Sequence, residues 1–373
     1  MKFRIFILAA LMSVGVSVAL GQAKPGGAKN VILFLADAGG VPTLNAASLL
    51  EYNAPQRLRI QSWPNLGLSD TSPVGKWVSD SANGMTAVVT GVKTHNGVIS
   101  QGPDAVRGKQ DGRPLKTILE YAEEHGLSTG VVTNQPITDA TPAACYAHSN
   151  DRNKWGYIFP QTFSPRFGDG VDVLLGAGRE RIGAQLTEQG TSFDKLAREH
   201  KRPIAARLED VAANNMRPIV VADQIDVHAA ALLALSILQK SKKGYFLMVE
   251  WDAHTNDAKK GLDRMVAFDK LIREIESKVD LKNTLLLFTA DHSFGLQVDN
   301  GGPGEPLLAG YDEWKKSGEK KDSVRLKNVF VNDSHTGEEV ATLAIGAGAT
   351  EVRGYFPNTK LFHVMLDAWG WKP

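Results

Sequence analysis

Ser81 is the residue whose surroundings most suggest covalent chemistry. It follows Asp80 within residues 78–97, VSDSANGMTAVVTGVKTHNG, where small residues and threonines come after the serine. A serine hydroxyl becomes a nucleophile when a neighbouring base or metal ion activates it. Asp80-Ser81 is equally typical of a helix start, because Asp and Ser side chains accept hydrogen bonds from the free N–H groups of a first turn. On this stretch alone, capping is the simpler interpretation, so other residues must decide.

Acidic residues and histidines follow three of the most apolar segments of the chain. NVILFLA runs into Asp37, YFLMV runs into Glu250, and TLLLFTA runs into Asp291 and His292. In open α/β sheets, ligands bind outside the carboxyl ends of the strands. We therefore expect these residues to converge on one site, although they are far apart in the sequence.

The segment Glu250-Trp251-Asp252-Ala253-His254 adds to this pattern. Glu250, Asp252 and His254 would share one face of a strand, and Glu250 and His254 would share one face of a helix. Carboxylate and imidazole ligands without thiolate suit zinc, whereas positions with oxygen ligands only suit magnesium or calcium. His335, within SHTGEE, is weaker by itself because HTG is also typical of a turn.

The elements that must position these residues alternate between strands and helices. The predicted strands are NVILFLA, STGVVTN, VDVLLGA, RPIVVA, YFLMVE, TLLLFTA and VATLAIGA. The predicted helices are LKTILEYAEEH, DVHAAALLALSILQKSKK and GLDRMVAFDKLIREIESKV, with apolar residues at three- and four-residue spacing. This order predicts an α/β three-layer sandwich with a central, mostly parallel sheet and helices on both faces. Residues 293–335 are expected to leave the sheet, and no linker divides residues 24–373, which predicts a single domain.

Residues 1–23 have the pattern of a secretory signal peptide. Lys2 and Arg4 form a basic start, an apolar stretch follows, and Gly21-Gln22-Ala23 is a small-residue cleavage site. A membrane anchor is the alternative, but the apolar stretch is short and contains Ser and Gly. We therefore expect a periplasmic or secreted protein without a membrane anchor in its mature form.

Composition excludes several other classes. The 373 residues include 42 Lys and Arg against 41 Asp and Glu, so the chain lacks the basic excess typical of nucleic-acid-binding proteins. Cys145 is the only cysteine, so an internal disulfide is impossible. Stability must come from core packing, metals or assembly.

Five blocks of the sequence together resemble the alkaline phosphatase family. Asp80-Ser81-Ala82 followed by TAVVTGVKTHNG resembles the family's nucleophile segment, and TDATPAACYAHSNDR (residues 138–152) resembles a block with a Thr metal ligand and a phosphate-binding Arg. TADH (residues 289–292) and HTGEEV (residues 335–340) resemble later ligand blocks in the family's order. With the strand that ends at Asp37, they cover nearly all of the chain after residue 23.

The resemblance implies two catalytic zinc sites. His254 and His335 would bind the first zinc, together with an acidic residue from Glu250 or Asp252. The second zinc would be bound by Asp37, Asp291 and His292, with the Ser81 hydroxyl as a further ligand. The sets are therefore built from the residues identified above.

The resemblance also implies a third site, of the magnesium type. Asp37 would bridge to it, Thr141 would be a ligand, and Glu250 would supply the carboxylate. Asp139 would lie just outside these ligands, where an acid suits a hard magnesium ion. Arg152 would bind two non-reacting phosphate oxygens.

The sequence departs from the family's pattern at Glu250–His254. The family usually has a Glu at the end of this strand, then a short connection, and then a zinc-binding Asp four residues before the His. Here the connection is missing, so either Glu250 replaces that Asp, or Glu250 keeps its role and Asp252 serves the first zinc. We slightly favour the second arrangement, because Glu250, Asp252 and His254 share one face if the strand continues. The family's large crown-like insertion is also expected to be absent.

The activity implied is the hydrolysis of small-molecule phosphate monoesters through a phosphoserine at Ser81. One alternative is a phosphodiesterase of the same architecture, although a Ser nucleophile with Arg152 favours monoesters. Another is a non-catalytic secreted protein that binds metal or phosphate. A homodimer is an expectation from the resemblance alone.

Overall fold

The computed structural model describes residues 27–318 and 322–373. The predicted signal peptide over residues 1–23 lies outside these residues. Within the described part of the chain, no helix is both long enough and apolar enough to cross a membrane.

Thirteen strands occur in the described residues, and ten of them form one large sheet. The strands are β1 (Asn30–Asp37), β2 (Asn65–Asp70), β3 (Ser128–Pro136), β4 (Val173–Ala177), β5 (Ile204–Ala205), β6 (Ile219–Val221), β7 (Tyr245–Asp252), β8 (Thr284–Thr289), β9 (Ser293–Val298), β10 (Ser323–Arg325), β11 (Val329–Thr336), β12 (Val340–Gly346) and β13 (Gly354–Pro357). The large sheet has the order β13-β2-β12-β8-β1-β7-β3-β4-β6-β5, and only β12 runs antiparallel to its neighbours. The central strands are continuous apolar runs because both of their faces are covered.

Helices cover both faces of this sheet. They are α1 (Val41–Tyr52), α2 (Ser81–Thr90), α3 (Ile118–Glu124), α4 (Ala140–Tyr146), α5 (Trp155–Ile158), α6 (Arg179–Glu188), α7 (Phe193–Glu199), α8 (Val227–Leu238), α9 (Ala258–Ser277), α10 (Tyr311–Ser317) and α11 (Lys360–Trp369). Successive side chains of a strand point to opposite faces. Accordingly, Val31 and Leu33 pack in a core with residues of α2, α3, α4 and α11, whereas Ile32 and Phe34 pack in a second core with residues of α1, α8 and α9. The predicted three-layer α/β sandwich is therefore confirmed.

Residues 293–335 leave the large sheet, as the sequence predicts, and form a small antiparallel sheet in the order β10-β11-β9. β9 begins at Ser293, immediately after His292, and β11 carries His335 near its end. The pairing sets His335 opposite Phe294 and Thr336 opposite Ser293, after an irregularity between Asn332 and His335. The small sheet therefore returns the chain to the point where it left β8.

Candidate active site

Three neighbouring strands deliver carboxylates to one edge of the large sheet. β1 ends at Asp37 and β7 ends at Asp252, and these two residues are partners in the parallel register of the two strands. Asp291 follows β8, which lies on the other side of β1. All three residues are buried. The carboxyl ends of the strands thus gather the acids as the sequence predicts.

Three imidazoles meet these acids. His292 and His335 are stacked with ring centroids 3.8 Å apart, and His254 lies 5.5 Å from His292 by the same measure. His292 Nε2 is 3.3 Å from Asp37 Oδ1 and 3.6 Å from Asp291 Oδ2. Within the described residues, three groups have ligand atoms that all lie within 4.8 Å of one another. They are His254 with His292 and His335, Asp37 with Asp252 and His254, and Asp37 with Asp291 and His292.

Ser81 is the first residue of α2 and is buried beside this cluster. The cap of α2 is Asp80, whose Oδ1 accepts a hydrogen bond of 3.0 Å from the backbone N–H of Asn83. The hydroxyl of Ser81 instead lies 3.5 Å from His292 Nε2. The capping interpretation of the sequence therefore applies to Asp80, and the hydroxyl of Ser81 faces the histidines.

Arg152 lies between two acids at the rim of the site. Its Nη1 donates to Asp80 Oδ2 over 3.3 Å, and its Nη2 donates to Asp139 Oδ1 over 3.2 Å. Burial opposes its charge, but Asp139 and Asp80 hold the pKa of the guanidinium above its usual value. Its backbone is fixed by a 2.8 Å bond from the Arg152 N–H to the carbonyl of Gly97. The guanidinium is thus held close to the helix start that carries Ser81.

Glu250 lies inside β7, fully buried, beside β3. The hydroxyl of Thr133 on β3 donates to Glu250 Oε2, while Glu250 Oε1 has no hydrogen-bond partner among the described residues. Thr141 on α4 is also fully buried, and its hydroxyl likewise lacks a partner there. Glu250 and Thr141 therefore offer oxygens that the folded chain itself does not satisfy.

Asp252 is held differently. Its Oδ1 accepts from both the backbone N–H of His254 over 3.0 Å and His254 Nδ1 over 2.8 Å, and its Oδ2 accepts from Arg264 on α9. The side chain of Asn134 accepts a 2.9 Å bond from the Asp252 N–H. Because the strand continues through Asp252, Glu250 and Asp252 point to the same face, and Asp252 is the acid that lies next to His254.

The crowding of acids governs the electrostatics of the site. Burial and then the charge of Asp37 raise the pKa of Asp291 to about 6, and the same two causes raise the pKa of Glu250. Burial alone would raise the pKa of Asp37, but His254 and His292 bring it well below its usual value. Burial lowers the pKa of His254, yet Asp37 and Asp252 outweigh it and raise the value to about 9. The cluster therefore attracts positive charge.

The residues fit metal ions. Asp37 Oδ1 and Asp291 Oδ2, like the free oxygens of Glu250 and Thr141, are buried without a hydrogen-bond partner among the described residues, which is costly unless a cation binds them. The imidazole-containing part of the cluster has the nitrogen and oxygen ligands that zinc prefers. The part around Glu250 and Thr141 offers oxygen only, which magnesium prefers.

Three residues of the site were not identified from the sequence. Thr133 and Asn134 end the predicted strand STGVVTN, so the strand-end argument that selected Asp37 could have found them. Arg264 lies on the second turn of α9 and has no local signal, because its partner Asp252 belongs to another element.

A mostly parallel sheet with a buried carboxylate and imidazole cluster at its strand ends, and a serine at a helix start beside it, defines a metal-dependent hydrolase. The family model described as alkaline phosphatase matches residues 28–209 and 227–314. The chain belongs to the alkaline phosphatase family, and it is an enzyme of the phosphoric monoester hydrolase class.

Curated relatives agree with this membership. Alkaline phosphatase 4 of Bacillus subtilis is 27% identical over 91% of this chain and 88% of its own length. Alkaline phosphatase 4 of Drosophila melanogaster is also 27% identical, over 91% of this chain and 76% of its own length. The resemblance identified from the sequence is confirmed, and the non-catalytic alternative is not favoured.

Solved structures share the fold. The alkaline phosphatase of the Antarctic bacterium TAB5 is 24% identical, covers 94% of this chain and 100% of its own, and has a TM-score of 0.74. The alkaline phosphatase of Thermus thermophilus is 21% identical, covers 98% of this chain and 96% of its own, and has a TM-score of 0.76. One structure of a TAB5 variant is described as having magnesium bound in a site called M3.

Proposed function

We propose that the chain hydrolyses phosphate monoesters through a phosphoserine at Ser81. The observation that carries this proposal is the buried hydroxyl of Ser81, which lies 3.5 Å from His292 Nε2 at the start of α2, beside the acids of the strand ends. Family membership supports monoester hydrolysis in general. The route through Ser81 is our inference from its position.

The residues divide into three proposed metal sites. His254, His335 and Asp252 would hold a first zinc. Asp37, Asp291 and His292 would hold a second, with the hydroxyl of Ser81. Glu250, Thr141 and a shared Asp37 would hold a magnesium ion, because the bond from Thr133 orients Glu250 and leaves one of its oxygens free.

When bound, these ions lower the pKa of a coordinated hydroxyl and neutralise charge that develops on the phosphoryl and leaving oxygens. The chain's own residues supply position. Ser81 Oγ forms a bond to phosphorus as the ester oxygen leaves on the opposite side. The hydroxyl proton passes to solvent, and the departing alcohol takes up a proton from water. Water then cleaves the phosphoserine, which releases phosphate and restores Ser81.

Arg152 has the second role in this scheme. Its planar guanidinium can donate two hydrogen bonds to the non-reacting oxygens of a phosphoryl group. Asp80 and Asp139 keep it beside Ser81 before substrate arrives. Positioning and electrostatic stabilisation contribute most of the catalysis in phosphoryl transfer, so this preorganisation matters.

The covalent route is tested with Ser81→Ala. The variant is expected to lose most turnover while it still binds zinc and magnesium, and acid quenching of the wild type during turnover is expected to trap phosphate on the peptide that contains Ser81. Wild-type turnover in the variant would exclude the route.

Removal of metals with a chelator is expected to abolish activity, and addition of zinc with magnesium is expected to restore it. Full activity in the metal-stripped protein would contradict the metal assignments.

Monoesters are proposed over diesters because Ser81 is accompanied by Arg152, whose guanidinium can bind two non-reacting oxygens of the phosphoryl group. The comparison of p-nitrophenyl phosphate with bis-p-nitrophenyl phosphate tests this choice, and faster hydrolysis of the diester would overturn it.

Export to the periplasm or the medium, through residues 1–23, is proposed from the sequence pattern, and fractionation of producing cells would test it. A homodimer is proposed from the resemblance, and light scattering of the purified protein would test it.

A further inference from the structure

Trp77 is the most exposed large apolar side chain identified in the described residues. Its relative exposure is 86%, and it lies four residues before Ser81. A tryptophan so fully in water forgoes the burial that its size usually provides. An indole in this position, four residues before the proposed nucleophile, is available to contact a ligand that is not part of the fold.

The segment that carries Trp77 is fixed to the active site. The carbonyl of Ser79 accepts a 2.9 Å bond from His335 Nδ1, and the carbonyl of Val78 accepts a 3.1 Å bond from the side chain of Asn96. The carbonyl oxygen of Trp77 would lie only 3.2 Å from a β-carbon placed on Gly337, so the segment also touches the turn after His335. Trp77 is therefore attached to a firm edge of the site.

This edge is on the open side of the metal cluster. Asp37, Asp291 and His292 are buried, whereas His254 and His335 are half-buried. In an in-line displacement the leaving oxygen departs on the side opposite the nucleophile. The segment of Trp77 contacts His335, so a leaving group that departs over the half-buried His254 and His335 would pass this segment.

An open cleft of about 680 Å³ adjoins this edge. It is lined by Ser72, Pro73, Gly75, Lys76, Trp77 and Val78. A flat indole at the border of such a cleft can stack on a planar ring. Aliphatic alcohols have no such ring to offer.

We propose that Trp77 and this cleft form a subsite for the leaving group, which favours phosphate monoesters whose alcohol carries a planar ring, such as phenols and nucleosides, over monoesters of alcohols without a ring. This inference rests on the proposed function, because it requires that phosphorus be attacked from the side of Ser81. It assigns to Trp77 a role in substrate preference and none in the bond-making itself.

The reaction has two successive steps, and this lets the effect of the subsite be distinguished experimentally from an effect on the catalytic residues. Once the leaving group has departed, Trp77 has nothing to stack on. Its removal should therefore lower kcat/KM for esters whose alcohol carries a planar ring and leave the hydrolysis of the phosphoserine unchanged. The inhibition constant of inorganic phosphate should also be unchanged, since phosphate has no leaving group.

The test compares Trp77→Ala with wild type on p-nitrophenyl phosphate, a nucleoside 5′-monophosphate and glycerol phosphate. We expect kcat/KM to fall about 3- to 10-fold for the two esters whose alcohol carries a ring, as is typical for the loss of one stacking contact, and less than about 2-fold for glycerol phosphate. Loss with only one of these two esters would still support the subsite and would show which ring reaches the indole. Trp77→Phe should recover most of the loss.

Tyr355→Ala is the matched control, because it removes another strongly exposed aromatic side chain, from the edge strand β13. It should alter none of the three substrates selectively. Equal losses on all three esters in Trp77→Ala, no loss on any, or a loss that accompanies a change in oligomeric mass would overturn the subsite. An equal loss would leave the Ser81 route standing, whereas a failure of that route would appear in Ser81→Ala.

Discussion

The guanidinium of Arg264 donates a hydrogen bond to Asp252, the same carboxylate that accepts from His254. Arg264 comes from α9, whereas Asp252 and His254 come from β7 and the residues after it. A helix on the face of the sheet therefore fixes the compressed segment in which the strand end and its histidine are only two residues apart.

Arg264→Met should lower the free energy of unfolding of the metal-free protein by about 1–3 kcal/mol, because it leaves one oxygen of the largely buried carboxylate of Asp252 without its arginine partner. The measurement is denaturant unfolding in the presence of a chelator. Lys259→Met, five residues earlier on α9, removes an ion pair with Asp263 in which both side chains are 52% exposed. That control should change stability by no more than about 0.5 kcal/mol. Similar losses of unfolding free energy in the two variants would show that the Arg264–Asp252 pair stabilises the protein no more than an exposed ion pair does.

Thr133→Val should weaken magnesium binding and lower the stability of the metal-free protein by about 1–3 kcal/mol, because Glu250 Oε2 loses its donor in a fully buried site. Thr133→Ser keeps the hydroxyl and should retain both properties. Calorimetric magnesium titration and thermal unfolding report the two effects separately. Wild-type magnesium affinity in Thr133→Val would remove Thr133 from its positioning role.

Arg152→Lys should raise the inhibition constant of inorganic phosphate by roughly 10- to 100-fold, because a lysine cannot donate two parallel hydrogen bonds to one phosphoryl group. Competition by phosphate during turnover measures this constant. Arg207→Lys, in an exposed pair with Asp210, is a control expected to change nothing. An unchanged phosphate constant in Arg152→Lys would mean that phosphate does not meet this guanidinium.

Glu123, a residue outside the candidate active site, should make the free energy of unfolding depend on pH. Burial raises its pKa to about 8, from the usual 4.5, although its carboxylate accepts bonds from the backbone N–H of Gly170 and the hydroxyl of Thr129. The folded state therefore binds the proton of the Glu123 carboxyl more tightly than the unfolded state does. The stabilisation that results is fully present below about pH 4.5 and is lost as the pH rises to about 8.

Between about pH 5 and pH 8, the free energy of unfolding of Glu123→Gln should fall less with pH than that of wild type, by about 1–3 kcal/mol over this window. Glu124→Gln, at the neighbouring exposed position that pairs with Lys116, should leave the wild-type slope in place. Unfolding curves at a series of pH values provide both slopes. Parallel slopes for Glu123→Gln and wild type would contradict the prediction.

The sequence predicts the central strands well because they are apolar runs buried on both faces. All seven predicted strands occur, and the helix predicted at GLDRMVAFDKLIREIESKV lies within α9 apart from its last two residues. Six strands were missed, because they are short or partly exposed and lack a clear apolar pattern: β2, β5 and β13 of the large sheet, and β9, β10 and β11 of the small sheet. The single-domain assignment stays a prediction.

Asp37, Glu250, Asp291 and His292 could be selected because strand ends gather at one edge, a rule that requires no knowledge of distant contacts. Thr141, Asp139 and Arg152 were selected only through the family resemblance. The role of the Glu250–His254 segment could not be resolved in the same way. It depends on Thr133, Asn134 and Arg264, which reach the segment from β3 and α9. Only the packing of those elements shows that Glu250 and Asp252 are held by different partners.

The small sheet has a further consequence for how this enzyme could be altered. Its two long strands fix both ends, since β9 starts beside His292 and β11 ends beside His335. The exposed stretch of residues 302–305, between these two strands, can therefore change in length without moving either histidine, because loop closure costs rise only slowly with added residues. That stretch is a natural insertion point, where a fused reporter or affinity module could be accommodated with the catalytic edge left undisturbed.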